Sequence, residues 1–447
     1  MRSTLFFIPH EFAGMPLFGF GWALIAIAIG CASWVAWTVF NRGRQRANGK
    51  EVDLAAEILT GLPIWIIAAA MVVFLLPNVE QRLPGASPEM PPIVLGLPIR
   101  GYGVMVLLGL LSGIGITVHR GRSLGISSDF IVGLGFWMML GGVVGARSFY
   151  VIQKWDEFSR YAFGERLVAI IKLTEGGLVI YGGVIGGIVA GCVYCLMNRK
   201  PVRAFGDLIA PAFLIGYSFG RIGCLLNGCC FGGICTESLP TIQFPQGSGP
   251  YMVQLESGKL LGLELSKRPS SKEAWPATVA RVAPASLAEA AGIEPGDTIT
   301  KIRPYQAAYD AQDDPAAPPK VIAEVGVGQS TVTFMPAQLP PRSLPVHPSQ
   351  IYAAVNAALL CWLIWCLQPW PRWDGMTFLV AILLYAISRF LIEGIRSDEG
   401  GQLGTSLSIS QWISVAGGGT AILLMLLLAR TTPSRAWNWR QASNRNG

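Results

Sequence analysis

Apolar residues in this chain gather in long blocks. They do not form the i, i+3, i+4 stripes of a soluble helix or the alternation of a half-buried strand. Blocks of the length a bilayer demands, about 20 residues, fall near 17–39, 55–77, 101–118, 129–152, 178–197, 208–227, 350–368, 376–395 and 409–429. They predict an all-α polytopic membrane protein with about nine transmembrane helices. Between residues 231 and 346 no apolar run is long enough to span, so this stretch is expected to be a soluble insertion.

Composition agrees with the membrane class: 52% hydrophobic, 14% charged, mean hydropathy +0.47. The net charge of +7 is a topology signal. Arg42, Arg44, Arg46 and Lys50; Arg120 and Arg122; Arg199, Lys200 and Arg203; and Arg372 occupy alternate loops, and Arg430, Arg435, Arg440 and Arg445 follow in the tail. By the positive-inside rule the N-terminus is outside, the C-terminus is cytoplasmic and the insertion faces outside. Basic residues spread over short loops form no compact patch, which excludes nucleic acid as a partner. The first block is too long for the apolar region of a cleavable signal peptide, and only Arg2 precedes it as a basic residue. Ile29-Gly30-Cys31 is a poor cleavage box, with Ala28 where Leu is usual.

Charges inside the blocks change the picture. Arg221 and Arg389 lie deep in apolar runs. An intramembrane guanidinium is costly and faces a polar cavity or a partner; it is also the side chain best shaped to grip a phosphate. The topology gathers Tyr102, Arg147, Tyr150, Tyr181, Arg221, Asn227, Arg389, Glu393 and Arg396 in the outer half of the membrane. Snorkelling to the outer headgroups is the expectation for Arg147 and Arg396. Tyr385, Arg389 and Glu393 share a helix face at i, i+4 and i+8, as do Tyr217 and Arg221. Glu393 is thus placed to hold Arg389 or Arg396. Gly141, Gly142, Gly145, Gly182, Gly183, Gly186 and Gly187 predict close helix packing.

Five of nine cysteines, Cys31, Cys192, Cys195, Cys361 and Cys366, lie in spans as small apolar fillers. Cys224, Cys229, Cys230 and Cys235 cluster at the outer end of the sixth span. That compartment permits disulfides, and the C-x4-C-C-x4-C spacing is no standard zinc pattern, so a disulfide is expected ahead of a metal site. In the insertion, a strand at 277–282, a short small-residue helix, the stretch Gly292-Ile293-Glu294-Pro295-Gly296-Asp297 and a strand at 330–335 resemble part of a PDZ domain, a module that binds extended peptides by strand addition.

Residues 220–232, Gly-Arg-Ile-Gly-Cys-Leu-Leu-Asn-Gly-Cys-Cys-Phe-Gly, resemble the signature of the prolipoprotein diacylglyceryl transferase family. Gly101-Tyr102-Gly103, Gly145-Ala146-Arg147 with Tyr150, Gly176-Gly177 with Tyr181-Gly182-Gly183, His347-Pro348-Ser349-Gln350-Ile351-Tyr352, and Tyr385 with Arg389, Glu393 and Arg396 are similar to its other segments, in order. The resemblance implies a seven-helix core at 96–235 and 347–430. Two extra helices precede it (1–95), an insertion interrupts it (236–346, PDZ-like at 276–335), and a cytoplasmic tail follows (431–447). It implies transfer of the diacylglyceryl group of phosphatidylglycerol to the lipobox cysteine of prolipoprotein signal peptides, in a bacterial cytoplasmic membrane rich in lipid partners, with no cofactor or metal. Arg221, Arg389, Tyr102 and Tyr181 are its candidate catalytic residues; Arg147, Asn227, Gly232, Tyr385, Glu393, Arg396 and His347 its candidate substrate-binding ones. Cys224 stands where many members have Asn, Cys229 where an acidic residue is frequent, and Tyr181 where some have His. The alternatives are a non-catalytic lipid-binding or transport protein of the same fold and a membrane protease. The only histidines are His10, His119 and His347, without a His-Glu-x-x-His, which argues against a zinc protease.

Overall fold

The computed structural model describes residues 4–47, 54–83, 93–172, 176–235, 240–266, 275–306, 320–395, 405, 407–431 and 436–437. Among these, nine helices are long and apolar enough to cross a membrane. The helices that matter below are α1 (Trp22–Ala47), α2 (Leu54–Ala70), α3 (Gly101–Ser123), α4 (Ser128–Gln153), α5 (Phe163–Ile171), α6 (Ile180–Met197), α7 (Val202–Asn227), α8 (Ser349–Leu367), α9 (Met376–Glu393) and α10 (Ile409–Thr431). All but the short α5 are or contain spans; α2 runs on through a π-helical stretch, Met71–Leu75, into Leu76–Val79. Large apolar side chains remain exposed along them, such as Phe74, Ile180, Leu359 and Leu426. Facing lipid, these side chains need no protein partner.

Two compact units divide the chain. One comprises Tyr102–Tyr251 and Arg342–Gly447, the other Arg2–Gly101 and Met252–Pro341. The first is the helical core. Its closest pair is α4 against α6, and glycine is the reason. A Cβ on Gly145 would strike the carbonyl oxygen of Gly182, and one on Gly182 would strike that of Gly145; Gly141 and Gly186 stand in the same relation one turn away. With no apolar driving force between helices in lipid, such backbone approach supplies the packing. Elsewhere α8 packs on α7, and α10 on α9.

Near the N-terminal end of α7, Asp207 is fully buried. Its carboxylate accepts from the backbone N–H groups of Gly375 (2.8 Å) and Phe378 (2.9 Å). It thereby caps α9 with negative charge at the helix N-terminus. Gln368 donates to the Asp207 carbonyl (2.8 Å) and accepts from Arg120 (3.0 Å). Arg120, counted above as a loop charge, is therefore buried at the end of α3.

In the second unit, strands β1 (Thr4–Ile8), β2 (Gln81–Leu83) and β3 (Ile93–Arg100) form a small antiparallel sheet with β3 central. The insertion is a five-stranded antiparallel sheet. Its strands are β4 (Leu263–Leu265), β5 (Ala277–Val282), β6 (Thr298–Gln306), β7 (Val321–Val327) and β8 (Ser330–Phe334), hydrogen-bonded in the order β8-β7-β6-β5-β4. Val279, Ile299, Ile302, Val321, Ala323, Val325 and Phe334 are buried in it. The expected helix is the single turn Leu287–Ala290, capped by the Ser286 hydroxyl on the Glu289 N–H (3.3 Å). Most of the Pro-, Asp- and Ala-rich loop after β6 lies outside the described residues, as does most of the C-terminal tail.

Candidate active site

Arg221 sits on the last turns of α7, one turn beyond Tyr217. Its Nε–H donates to the Tyr217 hydroxyl (2.8 Å), and the guanidinium carbon lies 4.8 Å from the centre of that ring. This is the only hydrogen bond of Arg221 among the described residues, so four of its five N–H groups have no protein acceptor there. The Tyr217 ring meets Tyr385 of α9 edge to face, centroids 5.1 Å apart. Tyr385 is in electrostatic reach of both Arg221 and Arg389, so this phenol links the two arginines that the sequence singles out.

Arg389 is ion-paired with Glu393, one turn along α9, and its Nη2 donates to the hydroxyl of Ser410 on α10 (3.1 Å). Glu393 is 4% exposed and also accepts from Ser408 (3.3 Å). A buried carboxylate with two donors neutralises and aims the guanidinium. Arg389 is thus one partner of Glu393; Arg396, the other candidate, lies outside the described residues.

Beyond α7 the chain turns sharply. Gly228, at φ 73°, ends the helix: its N–H bonds the Leu225 carbonyl (3.2 Å) and the Cys229 N–H bonds that of Cys224 (3.0 Å). This is a Schellman ending, which favours glycine because only it enters the left-handed region without steric cost. Cys230 also has positive φ, 56°. The His-Pro-Ser-Gln segment secures this loop. The Ser349 hydroxyl donates to the Cys230 carbonyl (2.8 Å), and the Gln350 amide to that of Cys229 (2.8 Å). The Gly232 N–H reaches the His347 carbonyl (3.1 Å), and the His347 N–H that of Gly233 (3.0 Å). A Cβ on Gly232 would stand 2.6 Å from His347 Cβ. His347 and Gly232 therefore shape the loop through their backbones.

Tyr102, at the head of α3, packs against Gly223 and lies in electrostatic reach of Arg221 and of Cys224, Cys229 and Cys230. The Asn227 side chain lies beside the Cys229 thiol, whose S–H points to the Cys224 carbonyl (3.7 Å). All nine cysteines are free thiols in the structure. The Sγ atoms of Cys224, Cys229 and Cys230 converge within 4.8 Å of one another. Cys235 stays apart, its backbone N–H bound to the Pro345 carbonyl.

The fate of Arg147 differs from the snorkelling expected of it. It is 9% exposed and spends one N–H on each of five backbone carbonyls: Ala169 (2.8 Å), Ile170 (2.8 Å), Lys172 (2.9 Å), Gly176 (2.8 Å) and Gly177 (3.0 Å). It stays buried and closes the C-terminal end of α5, where orphan carbonyls and the helix dipole favour a cation. With every donor engaged it has none to offer a phosphate. Tyr181, at the start of α6, is 44% exposed, and among the described residues no hydrogen bond, ion pair or ring contact joins it to the Arg221 cluster. The structure thus assembles Tyr102, Arg221, Asn227, Tyr385, Arg389 and Glu393 with the loop held by His347 and Gly232. It leaves Arg147 and Tyr181 outside. Ser408, Ser410, Ser349 and Gln350 went unassigned from sequence. Hydroxyls at the head of an otherwise apolar last helix were the available signal for the first two.

A model of the family described as prolipoprotein diacylglyceryl transferase matches residues 92–427 of this chain. The phosphatidylglycerol--prolipoprotein diacylglyceryl transferase of Rhodopirellula baltica is 36% identical over 443 residues, covering 93% of this chain and 87% of its own length. The protein of Clostridium perfringens named phosphatidylglycerol--prolipoprotein diacylglyceryl transferase 2 is 24% identical over 323 residues, 72% of this chain and 88% of its own length.

Proposed function

The chain belongs to the prolipoprotein diacylglyceryl transferase family, and from that membership we infer that it moves the diacylglyceryl group of phosphatidylglycerol onto the lipobox cysteine of prolipoproteins. The thiol sulfur bonds to the glyceryl carbon next to the phosphate. The bond from that carbon to the phosphate oxygen breaks, and its electron pair leaves with glycerol 1-phosphate. The thiol proton passes to solvent or to the leaving phosphate, and a thioether remains.

The observation that carries this reading is the pair of arginines joined through Tyr385, one of them with four N–H groups that no described residue accepts. Negative charge grows on the leaving phosphate ester, and oriented guanidinium donors stabilise it in the transition state. In our assignment Arg221 meets the phosphate. Arg389, steadied by Glu393 and Ser410, holds the second side, and Tyr102 and Asn227 line the approach of the thiol. The protein is a multi-pass membrane protein. The distribution of loop arginines supports a bacterial cytoplasmic membrane, an outside N-terminus and a site toward the outer leaflet. Purified protein given phosphatidylglycerol and a lipobox peptide should yield a peptide heavier by one diacylglyceryl group and an equivalent of glycerol 1-phosphate, with a Cys→Ser peptide inert. Absence of product with folded protein would reject the reading.

The insertion contributes none of the residues assigned to chemistry, and its likeness to a PDZ domain supports a role in holding extended peptide. Replacing residues 276–335 by a short Gly/Ser linker should raise the KM for peptide and leave kcat at saturating peptide nearly intact. A collapse of kcat at unchanged peptide KM would make the insertion part of the catalytic machinery instead.

A further inference from the structure

Three thiols meet beside the arginine of the proposed site, and the transfer reaction as derived above uses none of them. Cys224 comes from the last turn of α7, and Cys229 and Cys230 from the loop that follows. The loop is built rather than loose: the Schellman ending, the left-handed backbone at Cys230 and the buried Ser349 and Gln350 fix its course.

A disulfide accounts poorly for this geometry. Adjacent Cys229 and Cys230 have Cα atoms about 3.8 Å apart, below the roughly 4.4 Å a relaxed disulfide needs. A bond from Cys224 to either neighbour would leave the third sulfur pressed against it. A thiophilic divalent cation uses all three. Zinc–thiolate bonds of about 2.3 Å arranged tetrahedrally set sulfurs about 3.8 Å apart, a contraction of about 1 Å or less from the spacing present. Zinc with three thiolates carries one net negative charge, and Arg221, in electrostatic reach of Cys224 and Cys230, balances it. No fourth His, Cys, Asp or Glu joins the group among the described residues. Closed structural sites have four protein ligands, whereas sites that act on substrates keep a position open.

We propose that Cys224, Cys229 and Cys230 bind a zinc-class cation whose open fourth position takes the acceptor thiol of the peptide as a thiolate. This rests on the transferase reading for the identity of the ligand, and on the thiol geometry alone for the metal. On binding, the peptide S–H gives its proton to the water it displaces, and the sulfur becomes a metal thiolate poised near Arg221. The site would thus hold the nucleophile beside the group that stabilises the leaving phosphate.

Elemental analysis of protein purified under reducing, chelator-free conditions should find one zinc per chain. Cys224→Ser, Cys229→Ser and Cys230→Ser should each lower zinc affinity by more than about 100-fold, since even outer-shell changes cost 10–100-fold; Cys235→Ser should retain the metal. The unmutated protein, emptied and reloaded with cobalt(II), needs no variant to fold and should show thiolate-to-cobalt charge-transfer absorption. Lipobox peptide added without lipid should change that spectrum, and a Cys→Ser peptide should not. Absence of stoichiometric zinc together with absence of the cobalt bands, a disulfide within the triad of freshly isolated protein, or a cobalt spectrum indifferent to the peptide thiol would each overturn the proposal. Metal-free protein with full transfer activity would overturn it too and leave the transferase reading standing. Loss of transfer in every form would reject that reading, while metal content still decides the site.

Discussion

Arg221→Lys should lower kcat by about 100- to 1000-fold, the cost of losing one well-placed donor to a developing oxyanion, while the variant folds like the parent. The reason lies in the division of labour within one guanidinium. Nε–H is spent on Tyr217, and the planar fork beyond it carries the donors left for a ligand. A lysine ammonium is a point charge without that fork, and it cannot hold Tyr217 and grip two phosphate oxygens together. Arg389→Lys should produce a smaller but still large loss, because part of its guanidinium is already committed to Glu393 and Ser410. Steady-state transfer from phosphatidylglycerol to a lipobox peptide, with thermal unfolding in detergent as the check on folding, measures both. Near-parental kcat in either variant removes that arginine from the chemistry.

Arg147→Lys should fail in the opposite way. It should be strongly destabilised, yet turn over normally per folded molecule with an unchanged KM for phosphatidylglycerol. Five carbonyls converge on one planar cation, and a lysine with three donors leaves at least two of them unmet. Each unsatisfied buried group costs about 1–3 kcal/mol, so a loss of roughly 3 kcal/mol or more is expected, enough to lower the unfolding midpoint by several degrees. A variant of parental stability with a raised KM would return Arg147 to the substrate site.

These two arginines look alike in the chain. Both follow a glycine-containing stretch near the C-terminal end of an apolar block, and both fall within family-like motifs. Their environments separate them. The carbonyls that consume Arg147 belong to α5 and to the turn after it, about 22 to 30 residues away, and nothing in local spacing announces that pairing. The Tyr217–Arg221 and Arg389–Glu393 contacts were legible because helical geometry fixes what lies four residues along. Ser410 and Tyr385 reach their arginines, or the neighbours of those arginines, through helix packing.

The insertion shows the same boundary. Its strands at 277–282 and 330–335 were legible from β-branched runs, whereas β7 was passed over despite alternate burial at Val321, Ala323 and Val325, because it follows a long Pro- and Asp-rich loop. The cysteines mark the limit most sharply. Compartment and spacing argued for a disulfide, but that three sulfurs converge follows from the backbone geometry after Gly228, which spacing does not announce.

By itself the sequence determined the membrane class, the nine spans found among the described residues and the family. Each depends on hydrophobic length or contiguous motifs, which are properties of the chain as written. Only the tertiary structure decided which arginine keeps donors for a ligand, that Ser408 and Ser410 join the Glu393–Arg389 pair, and how the thiols meet. Those outcomes turn on which donors and acceptors from distant segments occupy the same few ångströms, and burial makes leaving any of them unpaired too costly.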